Sequence, residues 1–192
     1  MKKIFAIAAA TALISSLSFA QLGLHEIGGG VGYVSVSFTN GGSSSQSIGG
    51  FLLAAHANMG ELAKNLTLAP DVEYFSTSTT VNGGSWKVSD FALNANVHYN
   101  IAMEGMVKPY VGAGLGLNFL STTYSESYFN PFTGITQTAS VTGSDTRLGI
   151  NLLVGANYKL NDKMTLLLEP RYVIASDFDN FQIKAGVTWA LN

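Results

Sequence analysis

Strict alternation of apolar and polar residues is the feature of this sequence that most constrains its fold. The alternation recurs between residues 27 and 191, and a period of two is that of a β-strand, whose successive side chains point to opposite faces. The eight predicted strands cover residues 27–39, 47–58, 65–76, 86–101, 107–121, 145–159, 163–175 and 180–191. Because no helical pattern separates them, the sequence predicts an all-β, antiparallel up-and-down fold.

The two faces of the predicted strands differ sharply in polarity. In residues 108–120, KPYVGAGLGLNFL, the odd positions from Val111 to Phe119 are all apolar, whereas Gly112, Gly114 and Gly116 alternate with them. Such alternation fits a soluble sandwich with its apolar face inside. It equally fits a membrane barrel with its apolar face toward lipid. Alternation by itself leaves both folds open.

Three observations favour the membrane barrel. The polar face carries charges and amides among glycines, in a chain with only 11% charged residues. The predicted strands, at about 11–16 residues, exceed the usual length of ~5–6 and suffice to span a bilayer. Aromatic residues of the apolar face lie near strand ends, as in the girdles of a barrel: Phe38, Phe51, Tyr74, Phe119, Tyr172 and Phe181 at one end, and Tyr99, Tyr158 and Trp189 at the other.

We therefore predict an eight-stranded antiparallel up-and-down transmembrane β-barrel whose apolar face looks at lipid. On the first strand that face is assigned to Val34, Val36 and Phe38. Closure into a barrel removes sheet edges, which hydrocarbon does not tolerate.

The first twenty residues, MKKIFAIAAATALISSLSFA, have the pattern of a secretory signal peptide. Lys2 and Lys3 precede an apolar run over 4–14, and a small-x-small site ends at Ala20. The apolar run is shorter than the ~20 residues of a spanning helix. We predict a cleaved signal peptide at 1–20 and a barrel domain at 21–192, exported to the outer membrane of the cell.

Charged residues on the polar face are predicted to form a network that fills the barrel. Eight strands enclose a lumen just wide enough for side chains, where an unpaired charge is costly. Glu169, Arg171 and Lys184 are predicted to lie close together on neighbouring strands. Asp71 and Glu73 also need cations, and the candidates are Lys108, Arg147 and Lys159. The predicted network comprises Asp71, Glu73, Lys108, Arg147, Glu169, Arg171 and Lys184.

Several stretches resemble the small outer-membrane β-barrel domains of the OmpA-barrel, OmpX and opacity-protein type. They are LAPDVEY, LNANVHYNI, KPYVGAGLGLNF, LLVGANYKLNDKMTLLLEPRY and the last strand. The resemblance covers 21–192 and implies an outer-membrane protein surrounded by lipid and lipopolysaccharide. It also implies a C-terminal signal for the barrel assembly machinery at Lys184, Gly186, Trp189 and Leu191, although the chain ends in Leu191-Asn192 instead of Phe.

No catalytic, metal or cofactor site is predicted. The G-x-G-x-x-G pattern fails at Leu117, no helix follows it, and the chain has no cysteine. His56 and His98 are interpreted as lumen histidines with satisfied hydrogen bonds in preference to a metal pair. Neither has a serine nearby in a recognisable hydrolase motif. The absence of a Lys/Arg run argues against nucleic-acid binding.

The long connection 122–144 is predicted to be a surface loop with four aromatic residues as candidate contacts: Tyr124, Tyr128, Phe129 and Phe132. These residues either contact a partner or lipopolysaccharide headgroups, or belong to a loop that folds over the barrel mouth. Two functions remain. One is a monomeric surface protein that presents loops 40–46, 77–85 and 122–144 to an unknown host or surface ligand. The other is a small porin-like channel, which a filled interior disfavours.

Overall fold

The computed structural model describes residues 22–38, 46–81, 84–132, 134–176 and 178–191 and shows a closed β-barrel. The predicted signal peptide and most of loop 40–46 lie outside these residues. The strands are β1 (Glu26–Phe38), β2 (Gln46–Asn58), β3 (Glu61–Ala63), β4 (Leu66–Val81), β5 (Gly84–Asn100), β6 (Val107–Asn130), β7 (Ile135–Lys159), β8 (Met164–Ala175) and β9 (Asp179–Ala190). No helix in the described residues has the length and hydropathy of a membrane span.

Antiparallel pairing closes eight of these strands into a ring. β1 pairs with β2 and with β9, β2 pairs with β4, and from β4 to β9 each strand pairs with the next along the chain. The short β3 pairs only with the start of β4 and stands outside the ring. The predicted eight-stranded antiparallel barrel is therefore confirmed.

Two connections that were predicted to be loops are strands, so the prediction for 77–85 and 122–144 is wrong. β4 reaches Val81 and β5 begins at Gly84, while β6 and β7 pair without interruption as far as Asn130 and Ile135. The Ser- and Thr-rich composition suggested loops, but Thr and Tyr favour strands and hydroxyl pairs stabilise neighbouring strands. We call this end of the barrel the long-hairpin end and the opposite end the terminal end.

The apolar face of the wall points outward, as predicted, on β2 and on β4 to β9. Exposed side chains along it include Phe51, Leu93, Val111, Leu115, Leu148, Leu168 and Ile183. Aromatic residues lie at both levels of the wall, among them Tyr74, Phe91 and Phe119 toward the long-hairpin end and Tyr99, Tyr158 and Trp189 toward the terminal end. This arrangement matches the two interfacial girdles of a membrane barrel.

Strand β1 is the exception, and its predicted orientation is wrong. Val34 and Val36 are fully buried inside the barrel, whereas Val31 and Tyr33 face outward. The Phe38 side chain is not among those described. Gly32 explains the orientation, because a side chain there would lie 2.5 Å from the carbonyl oxygen of Ile183 on β9. The even-numbered residues of β1, such as Val34 and Val36, therefore lie on the same face as Gly32 and point into the lumen.

An apolar cluster fills the lumen toward the long-hairpin end, a feature that the sequence analysis did not predict. Its buried members are Val34, Val36, Leu52, Phe75, Val88, Leu120, Ala175 and Phe178. Phe178 lies in the tight connection between β8 and β9 and stacks on Phe75, with the ring centroids 6.3 Å apart. Large apolar side chains thus close this half of the barrel.

Candidate functional site

A compact ionic cluster lies at the middle of the lumen. Asp71 and Glu73 come from β4, Glu169 and Arg171 from β8, and Lys184 from β9, and all five are buried. Each pair on one strand is two residues apart and therefore shares a face. Glu169 lies opposite Lys184 in the β8–β9 register, while β4 and β8 are four strands apart in either direction around the ring. The cluster therefore joins opposite walls of the barrel.

Arg171 is the centre of this cluster and is only 1% exposed. Its Nη1 lies 2.9 Å from Glu73 Oε1 and its Nη2 lies 2.8 Å from Glu169 Oε1, and Nη2 also contacts Asp71 Oδ2. Lys184 Nζ lies 2.9 Å from Glu169 Oε1 and 2.5 Å from Glu73 Oε1. Three carboxylates thus share two cations through charge-assisted hydrogen bonds.

Side-chain amides complete the coordination of Asp71. Asn94 Nδ2 donates to Asp71 Oδ1 at 2.6 Å, and Asn96 Nδ2 donates to Oδ2 at 2.7 Å. Asn151 Nδ2 in turn donates to the Oδ1 atoms of both asparagines, at 3.0 and 2.9 Å. These asparagines are absent from the network predicted from the sequence. Asn94 and Asn96 are two residues apart on β5 and alternate with its outward-facing apolar residues. This spacing was the sequence signal that could have assigned them to the network.

The glycines of β6 make room for these amides. A side chain at Gly114 would collide with Asn96 Oδ1 and lie 2.5 Å from the carbonyl oxygen of Ala95, and one at Gly116 would collide with Asn94 Oδ1. These glycines therefore leave space for uncharged polar neighbours in a crowded lumen. The crowding residues are amides from the adjacent strand β5.

Two residues of the predicted network lie outside the cluster, so that part of the prediction is wrong. Lys108 Nζ donates to the carbonyl oxygen of Met103 at 2.5 Å near the terminal end. Arg147 lies near the opposite end, with Nε 2.9 Å from Asp145 Oδ2. The further candidate, Lys159, pairs with Asp162 at 2.9 Å. The parity of a residue gives its face but not its height in the barrel.

Both histidines face the lumen on the terminal side of the cluster. His56 Nε2 lies 2.9 Å from Thr188 Oγ1. The His98 ring stacks on Tyr110 at a centroid distance of 4.4 Å, and Tyr110 donates a hydrogen bond to Glu169 Oε2 at 2.7 Å. Among the described residues, no three His, Cys, Asp or Glu side chains are grouped so as to hold a metal ion.

Among the residues that the structure describes, the lumen opens on the terminal side of the cluster. A cavity of about 860 Å³ at this mouth is lined by polar side chains that include Glu26, Asn100 and Lys108. A smaller space of about 80 Å³ continues inward to His98 and Glu169. Beyond it, the ionic cluster and then the apolar cluster fill the interior.

The four predicted contact aromatics are exposed at the other end, on the β6–β7 hairpin. Tyr124 and Tyr128 lie on the face that continues from the lumen, Phe129 lies on the opposite face, and Phe132 in the turn is 98% exposed. Residues on both faces of 135–146 are also exposed. This exposure favours a hairpin that extends from the barrel over a segment that folds across the barrel mouth.

The predicted assembly signal occupies the last strand and the residue after it. Trp189 and Leu191 are exposed, and Trp189 is on the outer wall near the terminal end. Gly186 faces the lumen, close against β1, where a side chain would lie 2.7 Å from the carbonyl oxygen of Gly29. Lys184 belongs to the ionic cluster. Recognition by the assembly machinery stays a prediction.

A closed eight-stranded barrel with an apolar outer wall, two aromatic girdles and a filled lumen is a transmembrane β-barrel of the outer-membrane class. Residues 5–190 match the family model of the outer membrane protein beta-barrel domain, so the chain belongs to this family. It is an outer-membrane protein, as predicted.

Solved structures show the same fold. Neisserial surface protein A superposes with a TM-score of 0.60 at 20% sequence identity, over 86% of this chain and 96% of that one. Ail, the attachment invasion locus protein of Yersinia pestis, superposes with a TM-score of 0.50 at 13% identity, over 87% and 99%. Comparison with curated proteins gave no match.

Proposed function

We propose that this protein is a non-enzymatic surface scaffold, whose sealed barrel holds the β6–β7 hairpin outside the cell for contact with a ligand. The observation that carries this proposal is the length and exposure of the hairpin. It continues from the girdle level, where Phe119 pairs with Thr146, to the pair Asn130–Ile135. Eleven further residues per strand at about 3.3 Å each amount to roughly 35 Å.

The filled lumen supports a scaffold over a channel. An ion entering from the terminal mouth would have to displace the salt-bridged side chains of Arg171 and Lys184. It would then meet the large apolar side chains of Phe75 and Phe178, which occupy this half of the lumen beside the buried Asp90. Water-filled barrels are also built from more strands than eight.

The tip of the hairpin has the chemistry of a protein contact. Phe129, Phe132 and Ile135 are exposed in the turn or directly beside it, and Tyr128, next to Phe129 in sequence, is exposed on the other face of the strand. Exposed aromatic clusters of this kind typically mark interaction surfaces. In outer-membrane barrels the longer connections lie outside the cell, and a tip on that side is accessible to a host or another cell.

The ligand-contact proposal is tested with cells that display the protein and a panel of immobilised serum and extracellular-matrix proteins. We expect cells that display Phe129→Ser/Phe132→Ser to be retained less on the immobilised ligand. Cells that display the control Thr136→Ser/Thr138→Ser, on the same hairpin, should be retained as well as those with the unaltered protein. Equal retention by the tip variant, or no retention by the unaltered protein, would contradict the proposed contact.

Planar-bilayer recording of the purified protein separates the scaffold from the channel. We expect no steady single-channel steps. Steps whose size changes in Arg171→Ala would show conduction through the ionic cluster and would replace the scaffold proposal with that of a small porin-like channel.

A further inference from the structure

The outward face of β4 to β7 carries an array of hydroxyl groups beyond the lipid-facing wall. Three rows run across the four strands, and we call them the hydroxyl grid. The first row is Ser76, Ser89, Ser121 and Ser144. The second row is Ser78, Lys87, Thr123 and Thr142, and the third row is Thr80, Ser85, Ser125 and Ser140. Every position except Lys87 is therefore Ser or Thr. Neighbouring strands are about 4.8 Å apart and successive rows are about 6.8 Å apart.

Hydroxyl groups in the grid pair across the strands. Ser76 Oγ lies 3.1 Å from Ser89 Oγ, the Oγ1 atoms of Thr123 and Thr142 are 3.0 Å apart, and the Oγ atoms of Ser125 and Ser140 are 2.9 Å apart. A bonded pair of hydroxyls retains one donor and three acceptor sites. The grid therefore presents an ordered set of donors and acceptors with almost no charge.

The two faces differ in composition. The opposite face of the same strands, which continues from the lumen, carries the aromatic Trp86, Tyr124 and Tyr128 together with the charged Glu126 and Asp145. The grid face has Ser or Thr at eleven of its twelve positions. Uncharged hydroxyl groups are thus concentrated on the outward face.

The position of the grid identifies what lies beside it. Its first row is one step beyond the aromatic girdle of Tyr74, Phe91 and Phe119 on the same strands and the same face. The rings of Phe91 and Phe119 pack with centroids 6.1 Å apart. Girdle residues mark the boundary between hydrocarbon and headgroups, so the grid begins at headgroup height and continues outward from the lipid interface.

We propose that the hydroxyl grid binds the uncharged sugars of the outer-leaflet glycolipid in which the barrel is embedded. Sugar hydroxyls both donate and accept hydrogen bonds, and they match a neutral surface that does the same. Phosphate groups would require several cations, and Lys87 is the one cation among the grid positions. An apolar protein partner is suited to the aromatic face of the hairpin. This inference is independent of the ligand proposed for the tip.

The experiment places the full barrel in phosphatidylcholine nanodiscs that contain lipopolysaccharide with a core oligosaccharide, or lipid A alone. Native mass spectrometry then counts the glycolipid molecules that remain bound. We expect the unaltered protein to retain the core-bearing lipid in preference to lipid A. We expect Thr123→Val/Ser125→Ala/Ser140→Ala/Thr142→Val, which removes two hydroxyl pairs, to lower that preference about tenfold.

Two controls make the result specific. Thr79→Val/Thr122→Val removes hydroxyls from the opposite face and is expected to keep the preference. Thr123→Ser/Thr142→Ser keeps the hydroxyls and is also expected to keep it, which covers the case in which the fourfold variant does not fold. The inference is overturned if the unaltered protein does not distinguish the two glycolipids, if the folded fourfold variant distinguishes them equally well, or if the serine variant loses the preference.

Discussion

Replacement of Arg171 by Met removes the cation at the centre of the ionic cluster while keeping a side chain of similar length. Arg171 contacts Asp71, Glu73 and Glu169. The substitution leaves these three buried carboxylates with Lys184 as the remaining cation of the cluster. We expect Arg171→Met to destabilise the barrel strongly.

The magnitude follows from the burial of the cluster. Breaking a buried ion pair by removing one partner costs about 3–5 kcal/mol, because a charge is left without compensation. A loss of that size raises the unfolded-to-folded ratio by a factor of roughly 10²–10³ or more. The free energy of folding of a typical domain is itself only about 5–15 kcal/mol. The variant is therefore expected to fold only in mild conditions.

The assay is a urea titration of the protein in phospholipid vesicles, followed by the fluorescence of Trp86 and Trp189. Arg147→Met is the matched control, because Arg147 pairs with the exposed Asp145 and surface pairs contribute about 0–1 kcal/mol. Arg171→Met/Glu169→Gln removes one carboxylate as well and is expected to recover part of the loss. A cost for Arg171→Met within about 1 kcal/mol of the Arg147→Met control would refute the assigned role of the cluster.

Three further outcomes are expected. Gly114→Val, where an added side chain meets a β5 asparagine, should cost about 1–3 kcal/mol in the same titration, whereas Gly143→Val, with open space around it, should cost far less. Phe178→Ala should cost about 3–5 kcal/mol without producing conductance, since the ionic cluster still blocks the lumen. The pKa of Asp162, which a hydrogen bond from Lys159 lowers, should rise in Lys159→Met, as measured by NMR titration.

The faces of the strands could be predicted from the sequence, because a period of two determines which side chains share a face. The heights of those side chains could not. Strands of a barrel tilt and are staggered by its shear, so residues in different strands meet only once the register is known. Arg171 and Asp71 are 100 positions apart and touch, whereas Lys108 and Arg147 share the inward face and lie toward opposite ends. To predict the ionic cluster, one needs both the face on which each residue lies and the register between the strands.

The orientation of β1 was missed because its sequence contains two apolar sets of opposite parity. Val31 and Tyr33 form one set, and Val34 and Val36 form the other. Gly32 is on the same face of β1 as Val34, and β9 approaches this face so closely that a glycine is required there. This glycine indicates that the second set faces the lumen. The same error concealed the apolar cluster, since two of its members were assigned to lipid.

The interior of the barrel and the hairpin that it carries depend on the same stretch of β6. Residues 108–120 bring Gly114 and Gly116 against the asparagines of β5, and those asparagines bind Asp71, which Arg171 links to β8 on the opposite wall. The strand that continues into the exposed hairpin is thus packed against a cross-barrel network. Because the protruding part of β7 extends past Gly149, where its pairing with β8 ends, its position depends on pairing with β6. A rigid base is therefore what allows a two-stranded hairpin to hold its tip and its hydroxyl face in fixed directions.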